Sequence, residues 1–464
     1  MPNAFAHLML ALWPVITLVM FRRWPVERAL IWSLLGAYLF LPPPPAAFDF
    51  PLMPPLTKQS LPSLATFLIC LYVYGRRWPL LPETSIGKAL VLIFVFSPVL
   101  TVITNSEVVF FGRVSIQALG LKDIVALTVL QFILILPFLM ARQILASQTG
   151  QRELLLAMFV GGLIYSIPML AEVRLSPQLN IKIYGYFQHY FEQMIRDGGF
   201  RPIVFLYHGL WAAFLAMTTA MAGFALSRQE DMRMRLLYLL GGLYLFGVLI
   251  LCKTLGSLIY GTLLAPLILF LPLGMQLRIA SVFVIVAISY PVLKGAGLVP
   301  VDWMLDQAAR IDPDRAASLE FRLGNEDTLL ERAAEKPLFG WGSWGRNHIL
   351  NPVTGAIETV TDGRWIILLG VYGWVGYLAE FGLVCLPVLM VWREVGRADA
   401  AKLTPLLGPT ALLLAINALD MLPNATLTPL TWLFAGSLFG YAEMLRGQRD
   451  RTYGPVPLGW RSIM

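Results

Sequence analysis

The chain contains about thirteen apolar runs of membrane-crossing length, and one long polar segment, Gly295 to Gly363, interrupts them late. Such runs match the ~30 Å hydrocarbon core of a bilayer. Backbone polar groups in lipid must be satisfied within the segment, and these runs are too long for barrel strands, so they are helices. Composition agrees: 57% of the 464 residues are hydrophobic and 14% charged, with mean hydropathy +0.69, whereas a soluble chain carries about a quarter charged residues. The expected fold class is an all-α polytopic membrane protein. Its helices are placed at 4–21, 28–41, 60–75, 88–104, 123–141, 153–171, 202–226, 236–252, 256–273, 278–294, 364–391, 403–421 and 427–445.

The net charge of +7 is informative through its distribution. Alternate polar breaks hold most of the arginine: Arg22, Arg23 and Arg28, then Arg76 and Arg77, Arg142 and Arg152, Arg228 to Arg235, Arg393 and Arg397, and the tail from Arg446. The positive-inside rule assigns these to the cytoplasm. The N-terminus is then expected outside, the C-terminus inside, and segments 172–201 and 295–363 on the external face. No basic stretch outside the membrane is contiguous enough for nucleic acid. Cys70, Cys252 and Cys385 sit in or beside apolar runs at no metal or redox spacing, so neither a disulfide framework nor a zinc site is expected. The run 4–21 has its basic flank after it, which favours a retained first helix over a signal peptide.

The chain therefore divides into helices one to ten within 1–294, a large external loop at 295–363, helices eleven to thirteen within 364–445, and a cytoplasmic tail at 446–464. The proline-rich 41–55 is a non-helical connector, and Ser106–Lys122 is expected to lie at the interface with Phe110 and Phe111 dipping in. Pro14, Pro98, Pro137, Pro168 and Pro266 predict kinks within helices. In the large loop, Asp312-Pro-Asp starts an amphipathic helix through Ser318–Ala334, Lys336-Pro337 ends it, and a Gly340-Trp-Gly-Ser-Trp-Gly345 turn follows.

Ser318-Leu-Glu-Phe-Arg322, Glu335-Lys-Pro-Leu-Phe-Gly-Trp-Gly342 and Leu368-Leu-Gly-Val-Tyr-Gly-Trp-Val-Gly376, with Phe200-Arg201-Pro202 and Tyr207-His208-Gly209 upstream, resemble the O-antigen polymerase and O-antigen ligase superfamily of bacterial inner membranes. The resemblance covers roughly Arg196 to Leu386. It implies a C-type glycosyltransferase-like fold and a glycan donor on a polyprenyl diphosphate, attacked at its anomeric carbon by an acceptor hydroxyl. The family's His-Asn pair at the loop exit is replaced here by Thr361-Asp362-Gly363-Arg364-Trp365, which favours a polymerase over a ligase.

Charge growing on the leaving diphosphate calls for fixed guanidinium groups. Arg201, Arg322, Arg364 and Arg346, with Lys253, are the diphosphate-binding candidates. An acceptor proton calls for a carboxylate or neutral imidazole; His348, Asp362 and His208 are the catalytic candidates. His208 is expected one or two turns inside its helix, on the face of Arg201. Trp341, Trp344 and Trp365 could stack on sugars, and Asn417 and Asp420 could pair with each other or line the cavity. No metal and no cofactor is implied. The expected partners are a lipid-linked glycan donor and acceptor and membrane lipids, with room for a chain-length regulator or export partner. A ligase to lipid A core or protein, and a lipid-linked sugar transporter or flippase, are the alternatives; charge-poor helix centres disfavour the transporter.

Overall fold

The computed structural model describes residues 1–74, 79–196, 198–228, 231–311, 313–398 and 403–453. It is predominantly helical, with two small hairpins. In chain order the helices are α1 (Ala4–Arg23), α2 (Val26–Phe40), α3 (Ser60–Tyr74), α4 (Ser85–Ile103), α5 (Leu121–Ile144), α6 (Gln148–Leu175), α7 (Leu179–Tyr184), α8 (Gly209–Ser227), α9 (Met232–Leu251), α10 (Leu255–Phe270), α11 (Leu273–Gly295), α12 (Val301–Ile311), α13 (Pro313–Ala334), α14 (Arg364–Val395), α15 (Leu407–Asp420) and α16 (Pro429–Tyr453). Strands β1 (Val109–Phe111) and β2 (Val114–Ile116) pair antiparallel, as do β3 (Ile195–Arg196) and β4 (Gly199–Phe200).

Among the described residues, eight helices (α1, α4, α5, α6, α8, α9, α11 and α14) are long and apolar enough to cross a membrane, and α3, α10 and α15 contain shorter apolar stretches. Each of the thirteen expected helices meets an observed one. The chain is an all-α membrane protein with several spans. Its outer helices keep lipid-facing side chains exposed, among them Leu8 and Leu12 of α1 and Leu236, Leu240 and Leu243 of α9. All five prolines expected inside helices lie there.

Association in lipid depends on close packing more than on water exclusion. On α16, Gly436 and Gly440 lie directly over the carbonyl oxygens of Phe138 and Arg142 on α5, where a Cβ would come within 2.3 and 2.0 Å. At the end of this contact Arg142 Nη1 lies 2.7 Å from Glu443, with both side chains buried. Arg28 bound to Glu153 and Arg228 bound to the Ile268 and Leu271 carbonyls share that end of the bundle. The 296–363 segment covers the opposite end, called here the loop end.

Four expectations change. The helix expected from 202 begins at 209. Glu172 accepts the amides of Ile203 and Val204 (2.9 and 2.7 Å), and Tyr165 accepts that of Phe205, which holds 203–205 out of helix. The stretch expected at the interface, 106–122, contains a fold that was not foreseen, the β1–β2 hairpin at 109–116, and the last two residues of the stretch belong to α5. The loop helix begins at Pro313, within the expected start signal, but a further helix, α12, precedes it, unforeseen.

The fourth change concerns α14, expected as one helix over 364–391. An unbroken helix would separate residues 364 and 380 by about 24 Å at ~1.5 Å per residue, yet Arg364 Nε lies 2.7 Å from Glu380 Oε1. The chain folds back at Gly373 (φ 63, ψ −166), a conformation open essentially to glycine alone. Segment 337–342 occupies the bend: the Trp341 and Gly342 amides donate to the Gly370 and Val371 carbonyls (2.8 and 2.9 Å), and the Trp374 amide donates to Pro337 (2.8 Å). A loop strand thus satisfies polar groups that the break released, as a low-dielectric setting requires.

Candidate functional site

At the loop end, the extended run before α8 carries the first group of polar side chains. Arg201 is 4% exposed; its amide donates to the Met194 carbonyl (2.8 Å) and its Nη2 to Thr254 Oγ1 (2.9 Å). Lys253, at φ 51, precedes that threonine and donates to the Arg196 carbonyl (2.9 Å). Lys58, also buried, fixes the same run by donating to the Phe205 carbonyl (2.6 Å).

His208 is the N-cap of α8, not a residue within it, and it shares no helix with Arg201. Its Nδ1 accepts the Leu210 amide (3.0 Å), so the proton resides on Nε2, 3.1 Å from Gln193 Oε1. The ring lies 4.5 Å from that of His189. Burial, followed by the charges of His189, Arg201, Arg322 and Arg196, pushes its pKa down to about 3. The imidazole is neutral because it is buried, and the charges of guanidinium groups from separate segments add to that effect.

Arg322, on α13, meets Asp362 at 3.2 Å, and each side chain is about one-third exposed (34% and 35%). Asp362 is therefore an ion-pair partner and the α14 N-cap is Gly363. The Arg322 charge also reaches Asp420, the last residue of α15. Asp420 accepts from Asn424 Nδ2 (2.9 Å) and Thr426 Oγ1 (2.7 Å), whereas Asn417 pairs with Thr431 (2.6 Å) instead of Asp420. The two backbones are in contact: the Arg364 amide donates to the Met421 carbonyl (2.9 Å), and a Cβ on Gly363 would fall 2.0 Å from the Leu422 oxygen. Below this group, Thr426 and Asn417 form the polar end of a cavity walled by Tyr38, Trp211, Phe214 and Leu414.

Other candidates lie elsewhere. Arg346 is fully buried in a carbonyl cage made by Trp341, Glu107 and Gln117, with Asn105 Oδ1, and so ties the Gly-Trp turn to the hairpin. Trp341 donates to the Arg332 carbonyl (2.7 Å), and the Arg332 guanidinium lies 3.4 Å from its ring centroid. Its face is occupied. Trp365 is fully buried against Tyr290. Trp344 keeps an open face, 69% exposed, with its indole on Asp123. His348 Nδ1 lies 3.1 Å from Thr359 Oγ1, and burial lowers its pKa. Arg364 turns away toward Glu380.

The fold thus brings Arg201, His208, Arg322 and Asp362 into one electrostatic group with Lys253 at its side, and separates it from Arg346, His348, Trp341, Trp344 and Trp365. Sequence reasoning singled out Asp420 but missed its partners Asn424 and Thr426, and it missed Gln193. The i, i+4 spacing of Asp420 and Asn424 at a helix end was the available signal. Among the described residues no group of three or more His, Cys, Asp or Glu gathers as a metal site. No protein-family model matches the chain, and no curated protein matches it.

Proposed function

We propose that the chain is a polysaccharide polymerase of the bacterial inner membrane, transferring a glycan from its polyprenyl diphosphate to the terminal sugar of another lipid-linked repeat on the periplasmic side. The observation that carries this reading is the Arg322–Asp362 pair facing Asp420 and the Arg201–His208 group at one end of the bundle. Guanidinium forks match phosphate oxygens. Arg201 and Arg322 bind the diphosphate and stabilise its charge as the bond breaks.

Asp362 is the general base. When the diphosphate takes the Arg322 guanidinium, the carboxylate beside it is released from its ion pair. The acceptor hydroxyl attacks the anomeric carbon, its proton passes to Asp362, and the carbon–oxygen bond to phosphate breaks with its electron pair leaving on the diphosphate. His208, neutral and capping α8, adds no charge and orients Gln193. Asp420 sits where the group meets the apolar cavity and keeps the Asn424–Thr426 turn in place.

The test is polymer output from a deletion strain complemented with wild type, Arg201→Ala, Arg322→Ala or Asp362→Asn, with membrane levels checked by immunoblot. Loss of long chains, with single lipid-linked repeats accumulating at normal protein level, is the expected result, Asp362→Asn losing at least ~100-fold in rate as for a general base and each arginine variant ~100-fold or more as for a donor to developing charge. Normal-length polymer retained on its carrier would indicate a ligase, and unchanged polymer in the deletion would end the reading.

A further inference from the structure

An open groove of about 500 Å³ runs along the loop, separate from the arginine group. This volume lies within the ~300–1,000 Å³ typical of ligand pockets. One wall is a single face of α13 carrying Glu320, Phe321, Gly324, Asn325 and Thr328, at the helical spacing that places side chains in a row. The other is segment 349–359 with Glu358, closed on itself by the Leu350–Ile357 bridge. The Val360 amide donating to Asn325 Oδ1 (2.8 Å) fastens the walls together. His348, through Thr359, braces the back of the second wall.

Two features lack a packing explanation. Phe321 presents 59% of its surface to the outside. Gly324 sits in the interior of α13, where glycine weakens a helix relative to alanine, yet a Cβ there would meet nothing within 4 Å. Nothing in the fold requires glycine at this position. A flat ligand laid against the helix backbone would. An aromatic face, a side-chain amide, a hydroxyl and two carboxylates, spaced along a shallow groove, match the apolar faces and hydroxyl edges of pyranose rings. Among the described residues that line it, Glu320 and Glu358 are the charged ones and both are acidic.

We propose that this groove is a saccharide site holding the acceptor glycan, and that Glu320 and Glu358 make it select neutral or amino-bearing sugars against uronic acids. This rests on the transferase reading for the word acceptor, and on the groove alone for the sugar and its charge. The positions fit: Arg322 follows Phe321, and Asp362 lies two residues beyond the anchoring Val360. A like-charged sugar entering beside two carboxylates is repelled, which is specificity by exclusion.

The purified full chain in detergent micelles is to be examined by saturation-transfer NMR with three probes: maltotriose, the trisaccharide of glucosamine, and trigalacturonate. Transfer to the first two and none to the third is expected. Phe321→Ala and Gly324→Ala should each abolish it, with Gly324→Ala melting no lower than wild type, and Glu320→Gln/Glu358→Gln should admit trigalacturonate. Equal transfer to trigalacturonate in wild type, signals that survive both Phe321→Ala and Gly324→Ala, or no transfer to any probe would overturn the proposal. None of those outcomes touches the polymer phenotype of Arg322→Ala, so the groove and the transferase reading fail separately.

Discussion

The ionisable side chains at the loop end are tuned in opposite directions, which gives each a distinct pH signature. Burial pushes the His208 pKa down to about 3 from an ordinary 6.5, so its folded form refuses a proton that the unfolded chain accepts. Its share of stability is intact above pH 6.5 and is lost as pH falls toward 3. His208→Asn keeps an N-cap and removes the titration; its melting temperature should decline less between pH 6.5 and 4 than that of wild type. Glu326, buried on α13 with Tyr290 Oη 3.1 Å away, has its pKa raised by burial to about 7 from 4.5. Here the folded form holds its proton, so the contribution is complete below pH 4.5 and lost as pH rises through 7. Glu326→Gln keeps a neutral, hydrogen-bonding side chain, and its melting curve relative to wild type should gain most above pH 7. A parallel shift at every pH would contradict either assignment. Arg322 was legible as a candidate because it is a guanidinium on the amphipathic helix of the large loop, and Asp362 because it is a carboxylate just before a helix start. Their pairing was not, since forty residues separate them and Asp362 satisfied the local signature of an N-cap equally well.

Among the elements, α14 shows how a local rule and a tertiary contact divide the information. Hydropathy placed the start of this helix at residue 364 as observed and its end at 391, short of Val395, because lipid demands a continuous apolar run. The fold at Gly373 escaped it, since nothing local sets Gly373 apart from Gly370 and Gly376. What decides is segment 337–342 in the bend, which belongs to another part of the sequence. Gly373→Ala places a Cβ 2.4 Å from the Leu338 carbonyl in a conformation that alanine avoids. Strain of this kind costs ~1–3 kcal/mol before any clash is counted. The variant should lose the Arg364–Glu380 contact and expose the Gly-Trp turn to protease, measured as cleavage within 335–345 that wild type resists. Equal resistance would mean that the bend tolerates a straight helix. The same reasoning explains the late start of α8: Pro202 and an apolar run suggested a helix from 202, and the buried carboxylate of Glu172, on a different helix, took the amides that would have begun it.

Across the whole molecule, the two ends of the bundle do different work. At the end away from the large loop, Arg142 is enclosed by Glu443 and the carbonyls of Pro79, Leu80 and Leu81, while Glu443 accepts the amides of Glu83 and Thr84. Among the described residues, these partners of Arg142 and Glu443 are other parts of the same fold, so the pair is a lock between α5, α16 and the segment leading into α4. At the loop end the partially exposed pair Arg322–Asp362 and the open groove leave polar groups accessible. Sequence gave notice of this asymmetry through charge alternation, because arginines collected in alternate breaks and the long polar segment fell among the others. It could not tell a lock from a site, since both are arginines near carboxylates. Burial separates the Arg142–Glu443 pair from the Arg322–Asp362 pair, and so should mutation. Glu443→Gln strands a buried guanidinium, a change that typically costs ~3–5 kcal/mol, and should lower the yield and melting temperature of the membrane protein sharply. Asp362→Asn removes a partner from a cation one-third exposed, where an ion pair is worth ~0–1 kcal/mol, so the folded protein should persist while polymer synthesis stops. Thermal melts of the two purified variants beside the same polymer assay make the comparison. If Asp362→Asn melts as low as Glu443→Gln, the loop-end pair is a structural lock as well, and its part in group transfer falls.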